Sequence, residues 1–180
     1  AYTAHRGLLD LHRMVDSSLD ALVRDIGLVI QTESVAVVGI EDLHSLAHGF
    51  DPQTVLCRLD NATQNPILLV AEPALCNTVL TRIWRCERET DSALTQVEGA
   101  IVQQFLADVV ARWRSAWVRN GIEGTLPSFV AASSLSMLVD ANSADAWFVA
   151  RTVVLDPDED EPVGVLLFCY PNVLVPRLIE

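Results

Sequence analysis

Lysine is absent from this 180-residue sequence, and twelve arginines stand against 24 aspartates and glutamates, a formal net charge of −12. So little positive charge excludes an extended footprint on nucleic acid or on an anionic membrane, since both need a basic face. The missing lysine in itself implies no chemistry. No apolar run approaches the ~20 residues of a membrane span. The longest is Val163 to Tyr170. No basic-then-apolar segment opens the chain, as a secretory signal would. The four cysteines (Cys57, Cys76, Cys86, Cys169) form no CxxC pair and read as reduced core residues of a cytoplasmic protein. Asn61-Ala62-Thr63 matches a glycosylation sequon, which means little without a secretory signal. GxSxG, P-loop and GxGxxG signatures are missing too. The chain starts at Ala1 without an initiator methionine and stops at Glu180, which leads us to expect a piece of something longer.

What the sequence does have is apolar residues, 51% of the total, enough for a well-buried core in one domain or two joined halves. The strongest pattern is Leu94 to Asn120, which predicts one long helix. Thr95 and Glu98 are spaced as a capping box, and Asn120-Gly121 supplies a left-handed stop. Val97, Ile101, Phe105, Val109, Trp113 and Trp117 step by four, with Val102, Leu106 and Val110 beside them. Together these rows are expected to cover over half the helix circumference, as in a helix wedged between layers.

The remainder alternates. His5 to Ile26 predicts a helix with Leu8, Leu11 (or His12), Val15, Leu19, Leu22 and Ile26 on one face and Gly27 as its stop. Leu28 to Ile40 predicts a strand, and Glu41 to His48 a short helix or loop. Thr54–Leu59 and Pro66–Ala71 predict a hairpin. A helix opened by Pro73 then runs to Trp84. After the long helix, Phe129 to Asp140 resembles a strand. Trp147–Leu155 and Val163–Tyr170 predict a second hairpin around the acidic turn Asp156 to Pro162. Pro171 begins a helical turn with Leu174, Leu178 and Ile179 as apolar positions. Each half thus runs helix, strand, hairpin, proline-opened helix. This order predicts a diverged internal duplication. The expected fold is α/β: one domain over 1–180, with halves of about 1–90 and 91–180, packed as a pseudo-twofold symmetric α/β/α sandwich.

Candidates for chemistry are few. His44 and His48 could share a helix face as a metal pair with Glu41 or Asp42 nearby, but no third and fourth ligand converge by spacing. Two solvent-facing histidines are the commoner outcome. The run Asp156-Pro-Asp-Glu-Asp-Glu161 lacks the glycine and spaced ligands of a calcium loop and reads as a solvated hairpin tip. Trp113, Trp117 and Trp147 fit a core. Trp84 is the exception, because it abuts the polar link Arg85 to Ser92. No cofactor and no metal is expected.

The ordered set of segments Leu69-Val-Ala-Glu-Pro-Ala-Leu-Cys-Asn-Thr-Val-Leu-Thr-Arg-Ile83, Leu94-Thr-Gln-Val-Glu98, Arg112-Trp-Arg-Ser-Ala-Trp117 and Leu167-Phe-Cys-Tyr-Pro-Asn-Val-Leu-Val-Pro176 resembles a known family. It is that of the middle domain of the flagellar motor switch protein FliM, in the wider group of CheC, CheX and FliY. The resemblance spans nearly the whole chain. It implies a cytoplasmic ring at the flagellar basal body, on the inner face of the membrane. The implied partners are neighbouring copies, the rotor protein FliG and phosphorylated CheY. The CheY-binding peptide and the C-terminal ring-forming domain of such proteins would lie outside this chain. The family's FliG contact is a Gly-Gly-x-Gly loop before the long helix. The matching stretch here, Arg85-Cys-Arg-Glu-Arg-Glu-Thr-Asp-Ser92 by position, is without glycine, which suggests a divergent paralogue or a remodelled surface. Trp84, Arg85, Cys86, Glu87, Arg88 and Glu89 are the expected contact residues.

The phosphatases of the group use a glutamate and an asparagine one turn apart. Here Glu98 is followed by Ile101, and Asp16 to Asp20 in the first half by Val23. An isoleucine cannot orient water, so a non-enzymatic interaction domain is expected. Two rivals remain: a cytoplasmic-ring protein of type III secretion, and a CheC-type CheY-phosphate phosphatase.

Overall fold

The computed structural model describes residues 2–39, 41–42, 55–60, 67–85, 87–88, 92–119, 128–132 and 145–176. Helix α1 (Tyr2–Arg24) buries Leu8, Leu11, Val15, Leu19 and Val23, and it ends where Gly27 takes a left-handed φ of +79°. Both Leu11 and His12 lie on its inner face. Leu22 and Ile26, expected on that face, are only half-buried, and Val23 takes the inward place one residue on.

Strand β1 (Val29–Gly39) follows, then the hairpin β2 (Val55–Asp60) and β3 (Ile67–Ala71). Helix α2 (Pro73–Trp84) opens with proline in its first turn, where no backbone N–H is missed. Helix α3 (Gln96–Arg119) is the long helix, and β4 (Ser128–Ala132) and the hairpin β5 (Ala146–Leu155), β6 (Pro162–Pro171) complete the sheet. Predicted positions 133–140 of β4, 61–65 of the first turn, His44, His48, Leu178 and Ile179 lie outside the described residues.

The sheet order is β1-β5-β6-β3-β2-β4, antiparallel at every described pairing. Exchanging β1 with β4, β2 with β5 and β3 with β6 reverses that order without altering it, so the sheet is pseudo-twofold symmetric. The axis falls between β3 and β6, where Leu68 faces Cys169 and Ala71 faces Leu166. Aligning Pro73 with Pro171 carries each of these pairs onto the other. Each half lends its first strand to the other half's hairpin.

The two faces of the sheet differ. Ile67, Leu69, Ala71, Phe148, Ala150, Leu166, Phe168 and Tyr170 face the three described helices in one core. Leu68, Val70, Trp147, Val149, Val165, Leu167 and Cys169 form a second buried cluster on the opposite face. All three described helices lie on the first face, so the second helical layer of the expected sandwich is not seen among the described residues.

Helix α3 corrects one expectation. Its buried residues run from Glu98 and Val102 to Ala116 and Trp117, but Val97 is 64% exposed and Ile101 only half-buried. At 100° per residue the buried positions span an arc of about 140°. The four-residue row drifts off the core at its N-terminal end, so α3 covers one layer and is not wedged between two. Trp113 and Trp117, with ring centroids 4.2 Å apart, pack on Phe168 and Tyr170 as the aromatic centre.

Candidate functional site

The link between α2 and α3 is shaped by one residue at each end. At its start Trp84, the last residue of α2, is 42% exposed, unlike the three buried tryptophans. Arg85 follows with φ +55°, a left-handed conformation that caps the helix and that costs a non-glycine residue about 1 kcal/mol. At the far end the expected capping box closes. The Thr95 N–H donates to Glu98 Oε2 at 2.6 Å, and the Glu98 N–H donates to Thr95 Oγ1 at 3.2 Å.

Arg88 ties the two ends together. Its Nε donates to Glu98 Oε1 at 2.7 Å, one terminal nitrogen donates to Asn77 Oδ1 on α2, and the other to the carbonyls of Ser92 and Ala93. With its side chain only 7% exposed, Arg88 is a brace inside the link, not a free cation on its surface. The three hydrogen bonds from Thr95 and Arg88 hold the Glu98 carboxyl well below the usual carboxylate range, at about 2. Of the expected contact residues, Trp84, Arg85 and Glu87 are exposed, and Cys86 and Glu89 lie outside the described residues.

Glu98 is poorly placed for chemistry. One carboxylate oxygen is held by Arg88 and the other by the Thr95 N–H, and Ile101 stands one turn on. In the first half Asp16 accepts from both the N–H and the hydroxyl of Thr32 at 2.8 Å, and Asp20 pairs with Arg24. Thr32 also meets Thr152 at 3.0 Å, so this network fastens α1 to β1 and β5 beside the bulge between Thr32 and Ser34. Burial is the main influence on Asp16 and raises its pKa.

Two features escape the sequence. Asn77 becomes Arg88's anchor only because α2 packs beside α3, and no periodicity marks it. Tyr170 meets His12 Nε2 at 2.6 Å inside the core, and burial depresses the His12 pKa to about 3. The acidic turn after β5 stands as expected on the surface, except that Asp156 is buried and paired with Arg82. The described cysteines Cys57, Cys76 and Cys169 are buried, and burial pushes the Cys57 and Cys169 thiols up to about 12. No described helix is long and apolar enough to cross a membrane.

This palindromic six-stranded sheet, with a short and a long helix joined by a braced link on one face, has the fold of flagellar motor switch proteins. More particularly, the fold is that of the FliM middle domain. A chain of the FliG–FliM complex from H. pylori superposes with a TM-score of 0.78 at 13% identity, over 99% of this chain and 98% of that one. The FliM middle domain from H. pylori gives 0.72 at 14% identity, over 99% and 98%. FliY from Thermotoga maritima gives 0.74 at 10% identity, over 99% of this chain and 94% of its own. No protein-family model matches the sequence, and no curated protein does.

Proposed function

We propose that this chain is a non-enzymatic interaction domain of the bacterial flagellar motor switch. In this reading it sits in the cytoplasmic ring at the inner face of the membrane. There it passes the signal of phosphorylated CheY to a FliG-like rotor protein and so controls the direction of rotation. The observation that carries the reading is the superposition over 99% of the chain on a chain of a FliG–FliM complex. The link at 85–95 supports it. Where the resemblance places a glycine loop, Arg85 adopts the left-handed backbone that glycine would take, and Arg88 braces the rest. The partner surface is then Trp84, Arg85 and Glu87, with Arg88 acting through the link's shape and Cys86 and Glu89 completing the stretch. The commitment of both Glu98 oxygens supports the non-enzymatic part.

Calorimetric titration of the domain with FliG from the same cell tests this. Saturable binding is expected, weakened about tenfold by Arg85→Glu with an unchanged melting temperature, since a rim charge tunes capture without holding the fold. No binding by the wild-type domain overturns the FliG assignment. Release of phosphate from phosphorylated CheY above its own rate overturns the non-enzymatic one.

A further inference from the structure

Positive charge is scarce in this chain, and much of it is already paired. Arg6, Arg24, Arg82, Arg88 and Arg151 are each held by a carboxylate. Three exposed arginines without a described carboxylate partner, Arg112, Arg114 and Arg119, lie instead within eight residues at the end of α3. A cation in the last turn of a helix offsets the partial negative charge of its carbonyls, which accounts for Arg119. Arg112 sits two turns further back, where that effect has faded.

Arg112 and Arg119 share one wall of an open groove of about 570 Å³ between α3 and α1, with Met14, Ser18, Ala21 and Ala116 among its other sides. Seven residues make close to two helical turns, so both guanidinium groups project from the same side of α3. Arg119 donates to Ser18 Oγ at 2.6 Å. The serine oxygen is the acceptor in that bond, so its own O–H is left to donate to a ligand. Carboxylates on the same two helices are engaged elsewhere: Asp108 with Gln104, Asp16 with Thr32, Asp20 with Arg24 and Asp10 with Arg6. The groove is therefore a cationic island in a chain of net charge −12.

What the groove offers is donors, two guanidinium forks and one hydroxyl. Its complement is an anion with several acceptor oxygens. A tetrahedral phosphate serves forks arriving from different directions better than a planar carboxylate does. The groove is also larger than a lone phosphate requires and falls within the range of small-molecule sites. The remaining wall is apolar: Met14 is 47% exposed beside Ala21 and Ala116, and a thioether flanked by small side chains suits the face of a flat ring. We propose that the α1–α3 groove binds a nucleoside phosphate, its phosphates between Arg112 and Arg119 with Ser18 donating, and its base against Met14 and Ala21. A soluble ligand is favoured over a lipid headgroup, because the acidic chain as a whole is repelled by an anionic bilayer. Bound there, the ligand bridges α1 of the first half and α3 of the second, so occupancy stabilises the joining of the halves. The inference is independent of the partner assignment above.

Titration of the whole chain with adenosine diphosphate and with guanosine diphosphate, followed by calorimetry and by melting temperature, tests this. Saturable binding of at least one is expected. The melting temperature should climb with ligand concentration, and affinity should fall as salt is raised. The nucleosides without phosphate should not bind, and inorganic phosphate should bind about tenfold more weakly, lacking the contacts of the base. Arg112→Gln with Arg119→Gln should weaken nucleotide binding about tenfold or more, and Ser18→Ala about threefold, while both variants keep a cooperative melt without ligand. No binding of either nucleotide at millimolar concentration overturns the proposal, as does binding indifferent to both variants. Inorganic phosphate bound as tightly as the nucleotides would mean an adventitious ion only. Two further results would overturn it by making the groove a lipid or a protein site: retention on anionic vesicles without nucleotide binding, or loss of phosphorylated CheY capture by the arginine variant without nucleotide binding by the wild type.

Discussion

Gly164 on β6 illustrates how tightly α2 is seated. A Cβ there would lie 2.6 Å from both the Cα and the Cβ of Leu75, backbone and stem that have nowhere to go. Gly164→Ala should therefore lower stability by about 1–3 kcal/mol through overpacking, read as a fall in urea midpoint at unchanged m-value. His12 is a different kind of constraint. Its ring is buried against Phe168 and bonded to the Tyr170 hydroxyl, with a pKa near 3 against 6.5 for a free histidine. The folded state binds this proton less well than the unfolded chain. Its contribution is fully present above pH 6.5 and is lost as pH falls from there toward 3. The slope in that window is up to about 1.4 kcal/mol per pH unit. His12→Phe should flatten this segment of the profile even though it forfeits the Tyr170 bond. A variant profile parallel to wild type below pH 6.5 would rule this account out.

At the scale of elements, the link between α2 and α3 shows what pattern can and cannot reveal. The capping box is local, three residues apart, so Thr95 and Glu98 betray it in the sequence. Pro73 likewise announces the start of α2, and Gly27 the end of α1. Arg88 is another matter. In a run of charges it looks like one more solvated cation, yet it inserts between the helices and reaches Asn77, Glu98 and two carbonyls at once. Its role depends on α2 and α3 being neighbours, which no short-range spacing encodes. Reversing Arg88 is consequently not a clean test of partner binding. Arg88→Ala should lower the melting temperature by several degrees, about 5 °C or more, because it leaves Glu98 and Asn77 without their partner. Arg88→Lys should recover only part of this, since an ammonium lacks the planar fork that serves partners in several directions. Equal melting temperatures for Arg88→Ala and wild type would demote Arg88 from brace to bystander. Val97 marks the converse limit. Its place in a four-residue row suggests burial, but the drift of that row around a 3.6-residue helix carries it to the surface.

For the whole molecule, the decisive feature is the exchange of edge strands. Helix, strand, hairpin and proline-opened helix recur visibly along the sequence, and that recurrence is what makes the two halves legible. The pairing of β1 with β5 and of β4 with β2 is not legible. It joins segments far apart in sequence and depends on which hairpin flank each first strand finds. The consequence is thermodynamic. A half folded alone would lack the hairpin for its own first strand and would expose the inner edge of β3 or β6, a row of unpaired backbone groups. Its apolar surface would also lose the shared aromatic centre, in which α3 of the second half packs with α1 of the first. Fragments 1–91 and 92–180, produced separately, should each give the circular dichroism of a largely unfolded chain. Mixed together they should recover the helical signal and a cooperative thermal transition whose midpoint rises with concentration, because assembly is then bimolecular. Independent cooperative folding of either fragment would mean that the sheet is two autonomous modules in contact. The palindromic order would then be incidental to stability rather than its cause.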